Sequence, residues 1–161
     1  MDAIHFALSA EPLATDSLTD LVRDPHSGGF ASFEGWVRDH QEGRQVLRLE
    51  YEAYPGLCMK EGPRILEEAL RRFGVDRAAA VHRTGALAIG DVAVWIGVAS
   101  AHRREALEAC AWIIDEIKLS LPIWKKEFFA DGTSEWVRCD RCAEGHDHGH
   151  GHAVGDPINP S

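Results

Sequence analysis

Two periods run through the hydrophobic positions of this chain. Apolar residues recurring at every second position predict half-buried strands; recurrence at every third or fourth predicts helices. AIHFAL at residues 3–8 is short and apolar and reads as an opening strand. Glu11-Pro12 then starts a helix that carries Leu13, Leu18, Leu21 and Val22 on one stripe and ends at Asp24-Pro25. Residues 30–38 and 46–54 read as two strands around the polar turn His40-Gln41-Glu42-Gly43. The second of them places Leu47, Leu49, Tyr51 and Ala53 on one face. Residues 57–73 predict a helix with Leu57, Ile65, Leu66, Ala69, Leu70 and Phe73 on its stripe and Gly74 as its stop. Residues 75–81 and 91–100 are strands, and the run VAVWIGVA makes the second a central one. Gly85 and Gly90 punctuate the stretch between them. A long helix over 101–120, capped by Ser100 and closed by Pro122, precedes a strand–turn–strand over 123–137 around Asp131-Gly132. The order predicts a mixed α+β domain without internal repeats.

The pattern stops near Arg141. AEGHDHGHGHAVGDPINPS, residues 143–161, has almost no large apolar residue, which divides the chain into a domain over 1–140 and a flexible His/Gly-rich tail over 141–161. Overall, 45% of residues are hydrophobic and 27% charged, the composition of a globular domain. Lys and Arg number 17 against 26 Asp and Glu, a net charge of −9, which argues against a nucleic-acid partner because phosphate contact needs a basic face. No run approaches the roughly 18 apolar residues of a membrane span, so no membrane partner is expected. The start MDAIHFALSAEPL has neither the basic nor the apolar region of a secretory signal, and the expected location is cytoplasmic.

Four cysteines add chemistry to this frame. Cys58 and Cys110 fall within apolar-periodic segments and read as small packing residues. Cys139 and Cys142 form a CxxC beside His146, His148, His150 and His152, a soft set of zinc-preferring ligand types. Its spacing is not that of a standard zinc module and alternating His-Gly has no rigid geometry, so the reading is weak, adventitious zinc on the tail.

The long helix carries the most informative cluster. Leu107, Cys110, Ile114, Ile117 and Leu121 make its inward stripe, and Lys118 falls inside that stripe. A charged lysine is costly to bury there; its stem can instead lie on the core edge while the ammonium reaches water. At the other end His102, Arg103 and Arg104 meet the helix N-terminus, where backbone N–H groups and a guanidinium can hold one phosphate or carboxylate. Arg104 reads as solvated. Beyond Pro122, Lys125 and Lys126 must point to opposite faces of a strand, so one can enter a pocket. Phe33 and Arg38 flank the first hairpin, with Arg38 either a second anion contact or an exposed edge arginine. His82 is open to two readings, an acid or base and a hydrogen-bonded structural histidine.

Taken together, FEGWVRD at 33–39, LEYEAYPGLCMKE at 49–61, VHRTGALAIGD at 81–91, VASAHRREALEACAWIIDEIKLSLPIWKKE at 98–127 and DGTSEWV at 131–137 resemble the catalytic, large subunit of molybdopterin synthase, the MoaE family. The resemblance runs in order through nearly the whole globular region. It implies an α/β-hammerhead-type domain with an additional antiparallel β subdomain, and a homodimer of large subunits. Each would bind a small ubiquitin-like sulfur-carrier subunit whose C-terminal Gly-Gly ends in a thiocarboxylate, giving a heterotetramer. The implied reaction is transfer of two sulfurs to cyclic pyranopterin monophosphate, forming the molybdopterin dithiolene in molybdenum cofactor biosynthesis. By motif, Lys118 and Lys125 correspond to the two active-site lysines. Phe33, Arg38, His102 and Arg103 correspond to pocket residues, and Glu127 supports Lys125. The resemblance also implies anion-binding arginines shared across the dimer. No nucleophilic cysteine is required, because the sulfur arrives on the partner, and the resemblance demands no metal or cofactor for the synthase step. The family commonly continues past Trp-Val with a basic residue that reaches the pocket; here Arg138 and Arg141 are both candidates.

Two other classes compete with an enzyme: an interaction protein that keeps the fold and has lost the chemistry, and a metal-handling module working through its tail. Retention of both Lys118 and Lys125 argues against the first.

Overall fold

The computed structural model describes residues 2–138. Nine strands and three helices occur among them, in the order β1 (Ile4–Ser9), α1 (Thr15–Thr19), β2 (Gly29–Trp36), β3 (His40–Gln41), β4 (Arg44–Ala53), α2 (Pro55–Phe73), β5 (Arg77–Arg83), β6 (Gly85–Ala88), β7 (Val92–Ser100), α3 (Arg103–Ser120), β8 (Ile123–Phe129) and β9 (Ser134–Arg138). The α+β expectation holds. No described helix is long and apolar enough to cross a membrane.

The strands form two sheets. The first has the order β1-β5-β7-β2, with β1 parallel to β5 and the other pairs antiparallel. Helices α2 and α3 cover one face of it. Val94, Ile96 and Val98 of β7 face that layer, together with Ala78 and Ala80 of β5, Leu66 and Ala69 of α2, and Ile113 and Ile117 of α3. The opposite face carries Ala79, Trp95 and Ala99, covered by Val22 and the partly buried Leu13, Leu18 and Leu21. Burial on both faces is why VAVWIGVA reads as one continuous apolar run. The second sheet has the order β3-β4-β8-β9, and β6 also pairs β4, along Arg48 to Tyr51.

Several local expectations change. Residues 30–38 and 46–54 do not pair with each other: β2 lies against β7 in the first sheet, and β4 forms its hairpin with the short β3. Strand alternation reports which face a residue takes but not which partner the strand chooses. The stretch after Gly85 is the strand β6 rather than a plain connection. Within β4 a register irregularity between Val46 and Arg48 pushes Leu47 out, so Val46, Leu49, Tyr51 and Ala53 turn inward instead. Helix α1 is only five residues long, and α3 is preceded by His102 rather than capped by the Ser100 side chain.

Candidate active site

Helix α3 is rotated relative to its expected stripe, and that rotation makes the site. Ala106, Ala109, Cys110, Ile113 and Ile117 are the buried positions, whereas Leu107 is exposed and Ile114 half-buried. Lys118 therefore lies beside the core stripe and not within it. Ile114, Ile117 and Lys118 line a cavity of about 190 Å³ at the seam where the two sheets meet α3. Lys118 also sits in the last turn of α3, where the helix dipole favours a cation.

Strand β8 supplies the second lysine. Its inward residues Ile123, Lys125 and Glu127 line the cavity, while Trp124, Lys126 and Phe128 take the other face. Lys125 Nζ lies 3.1 Å from Glu127 Oε1, and the two side chains are only 14% and 5% exposed. The opposite-face expectation for Lys125 and Lys126 thus holds: Lys126 Nζ packs over the rings of Phe128 and Trp136. The expected support of Lys125 by Glu127 is present as this ion pair.

Phe33 and Arg38 line the same cavity, from β2 and from the segment just beyond it. Arg38 is solvent-accessible, and its Nη2 donates to Gln41 Oε1 at 2.6 Å, which ties the guanidinium to the rim. The floor includes His82, buried at the end of β5. Its Nδ1 lies 2.7 Å from the Arg83 carbonyl oxygen, and its ring meets Tyr51 edge-on at 4.9 Å. Burial, reinforced by the Lys118 charge, lowers the imidazole pKa to about 4.

His102 and Arg103 are not in this cavity. They begin α3, whereas Lys118 is 15 residues further on, about 22 Å along the axis at 1.5 Å per residue. With Arg104, Glu105, Leu107 and Glu108 they line a separate open groove. The start of β2 is pinned against this helix end, since a Cβ on Gly29 would come within 2.9 Å of the Arg103 nitrogen. Arg138 also lies away from the cavity lining, with its guanidinium over the outward-facing Trp124. Arg141 and the tail candidates Cys139, Cys142, His146, His148, His150 and His152 lie outside the described residues. Among the described residues no cluster of His, Cys, Asp and Glu is arranged to hold a metal. Cys58 and Cys110 are buried, and desolvation raises both thiols, Cys110 to about 11, which leaves them unreactive near neutral pH.

Among the polar and aromatic lining residues, sequence reasoning missed Trp36, Gln41 and Tyr51. The signal for Trp36 was available: a tryptophan beside Gly35 at a strand end, and it is 68% exposed at a register irregularity. Tyr51 was assigned to the inward face of its strand, but the pattern gave no sign that this face looks onto a cavity.

Comparison with known proteins bears on this geometry. The family model described as MoaE protein matches residues 8–120. A molybdopterin synthase catalytic subunit from Pyrococcus abyssi is 46% identical over 121 residues, which is 75% of this chain and 81% of that one. Molybdopterin synthase catalytic subunit 1 from Mycobacterium tuberculosis is 43% identical over 130 residues, covering 81% and 88% of the two chains. Among solved structures, molybdopterin synthase from Staphylococcus aureus superposes with a TM-score of 0.77 at 34% identity, covering 85% of this chain and 98% of that one. A family match through most of the chain, with relatives this similar along most of their own length, makes the chain a member of the MoaE family.

Proposed function

We propose that this chain is the catalytic subunit of a molybdopterin synthase, a sulfurtransferase that moves two sulfurs from a thiocarboxylated carrier to cyclic pyranopterin monophosphate. The observation that carries the reading is the convergence of Lys118 and Lys125 in one small cavity with Arg38 at its rim. Relatives named as molybdopterin synthase catalytic subunits support it.

The residue types suit the reaction. A Gly-Gly tail has no side chains, so an extended tail fits a cavity of about 190 Å³ that a bulkier segment would not enter. Its terminal thiocarboxylate is anionic and meets the Lys118 ammonium in surroundings with little competing water. Attack of the thiocarboxylate sulfur on an oxygen-bearing carbon of the pterin side chain forms a C–S bond as the C–O bond at that carbon breaks and its oxygen leaves, which gives an acyl thioester. Water then cleaves the acyl–sulfur bond, returning the carrier as a carboxylate and leaving the sulfur on the pterin as a thiolate. Negative charge gathers on the acyl oxygen during that cleavage, where a fixed cation stabilises it. Lys125 is oriented by Glu127 and offers a second directed donor. Arg38 faces the cyclic phosphate, and Phe33 offers an aromatic wall to the pterin. No cysteine nucleophile is needed, and no metal enters any step.

His102 and Arg103 contribute, in this reading, from a second copy of the chain. One subunit separates them from Lys118 by most of a helix, so a homodimer brings the α3 N-terminus of one copy to the cavity of the other. With one small ubiquitin-like carrier on each large subunit, the assembly is a heterotetramer. A thiol-type sulfur donor also requires a reducing compartment, in keeping with the cytoplasm.

The test is reconstitution. Incubated with thiocarboxylated carrier and the cyclic pterin, the chain should form the dithiolene product, read by mass spectrometry, only when both proteins are present. Lys118→Ala should lower turnover by about a hundredfold or more while carrier affinity stays within a few-fold. Wild-type turnover in that variant, or none with the intact pair, would overturn the reading.

A further inference from the structure

The cavity holds one buried titratable group to which the proposed chemistry gives no task, His82. A carbonyl oxygen only accepts hydrogen bonds, so the 2.7 Å contact with the Arg83 oxygen requires His82 Nδ1 to carry the proton. The other ring nitrogen, Nε2, is then left with a lone pair. The edge-on contact with Tyr51 at 4.9 Å restrains the ring plane, and burial at the end of β5 restrains its position. The ring is thus a neutral, oriented acceptor in the wall of a cavity that also contains an ammonium.

We propose that His82 is a positioning residue for Lys118: with the carrier's tail in place, its Nε2 lone pair accepts a hydrogen bond from the ammonium and holds it toward the place where the thiocarboxylate ends. This rests on the cavity being the sulfur-transfer site. Three observations carry it. His82 and Lys118 line the same cavity. Their charges are coupled, since the lysine opposes protonation of the imidazole. The backbone contact fixes the tautomer with its lone pair on Nε2. The charged groups around the pair are Lys125 and Glu127 from β8 and Arg38 at the rim. Lys125 and Glu127 are already joined to each other, and Arg38 to Gln41. A neutral acceptor suits this place better than a carboxylate, which would bind the ammonium tightly and compete with the incoming thiocarboxylate. A histidine held neutral supplies direction without that competition.

Two measurements test the assignment, and the first needs no catalysis. Long-range proton–nitrogen spectra of the ¹⁵N-labelled full chain should show His82 as the Nδ1–H tautomer between pH 5 and 8. Lys118→Met should raise its midpoint above about 4, whereas Lys118→Arg should leave it close to that value. An Nε2–H tautomer, or a midpoint indifferent to Lys118→Met, overturns the proposal. The second compares His82→Gln, whose amide oxygen can still accept, with His82→Leu, which cannot. In the reconstituted reaction, His82→Leu should lower kcat about ten- to a hundredfold with KM for the carrier nearly unchanged, and His82→Gln should recover much of the loss. Equal losses in the two variants, or a loss confined to KM, also overturn it. If the wild-type pair makes no product, the synthase reading fails, while the spectra still report the His82 tautomer and its coupling to Lys118.

Discussion

Lys118, Lys125 and His82 occupy one small cavity, and each has a different local support. Lys125 is held by a carboxylate two residues away on the same strand face, the shortest route to a buried pair that needs no second element. Lys118 is at the last turn of its helix, with the dipole behind it. His82 is kept neutral by burial and by the Lys118 charge. That last state has a consequence for stability. The imidazole protonates near 6.5 when unfolded and near 4 when folded, so between those values the unfolded chain binds more protons. Stability should therefore be complete above about pH 6.5 and be lost as pH falls toward 4, by about 3 kcal/mol at about 1.4 kcal/mol per unit. The Asp24 carboxyl is held low by the His26 backbone N–H and that of Asp131 by the Thr133 hydroxyl. Depressed carboxyls lose their contribution only below the ordinary carboxylate range, beneath the histidine window. Urea unfolding at half-unit steps from pH 7.5 to 4 checks this. His82→Gln should flatten the slope between 6.5 and 4 whatever it does to absolute stability, and an unchanged slope would contradict the assignment.

At the scale of elements, helix α2 shows how close packing and helix propensity compete. Gly62 lies in its middle and packs directly on the Phe6 ring of β1, so an added Cβ meets three ring carbons. Gly56, in the first turn of the same helix, has open space around its Cβ position. Alanine favours a helix over glycine by about 1 kcal/mol at either site. Gly56→Ala should therefore be neutral or raise stability slightly. Gly62→Ala should lower it by about 1–3 kcal/mol, because overpacking outweighs propensity. Thermal unfolding of the two variants reads the contrast directly, and a stabilised Gly62→Ala would mean that β1 can shift away from the helix. The same elements mark the limits of the sequence. The double-sided burial of β7 was legible in VAVWIGVA, and the opposed faces of Lys125 and Lys126 followed from strand geometry alone. The helix period placed Lys118 near the core but one step out of phase, because Leu107 looks like a core residue and is exposed while Ala106 and Ala109 do the packing. Alternation likewise failed at Leu47, where a bulge that leaves no mark in composition moves one residue outward. The partnering of β2 with β7 was invisible locally, because it is decided by contacts more than fifty residues apart.

For the molecule as a whole, the distribution of charge matters more than its sum. A net charge of −9 accompanies five cationic or polar-cationic candidates that fall in two places: Arg38, Lys118 and Lys125 around the cavity, and His102 and Arg103 at the opposite end of α3. A motif in a sequence gathers residues by role, whereas a single chain must place them in space. An 18-residue helix cannot bring both its ends to one small pocket. In the proposed reading a two-fold dimer resolves the conflict, because each α3 N-terminus would then serve the neighbour's cavity and both sites would be completed at once. The arrangement predicts complementation. Lys118→Ala and Arg103→Ala should each be nearly inactive alone in the reconstituted reaction. Mixed under conditions that let subunits exchange, half of the dimers become heterodimers, and each carries one site with both defects and one with neither. Activity should rise to about a quarter of wild type at equal mixing and random pairing. Mixing Lys118→Ala with Lys125→Ala should restore nothing if both lysines serve the same cavity of the same chain, for every site would then lack one of them. Recovery in the first mixture and none in the second would assign the arginine to the neighbouring subunit. Failure of both, with exchange verified by mass, would return Arg103 to a role outside the site.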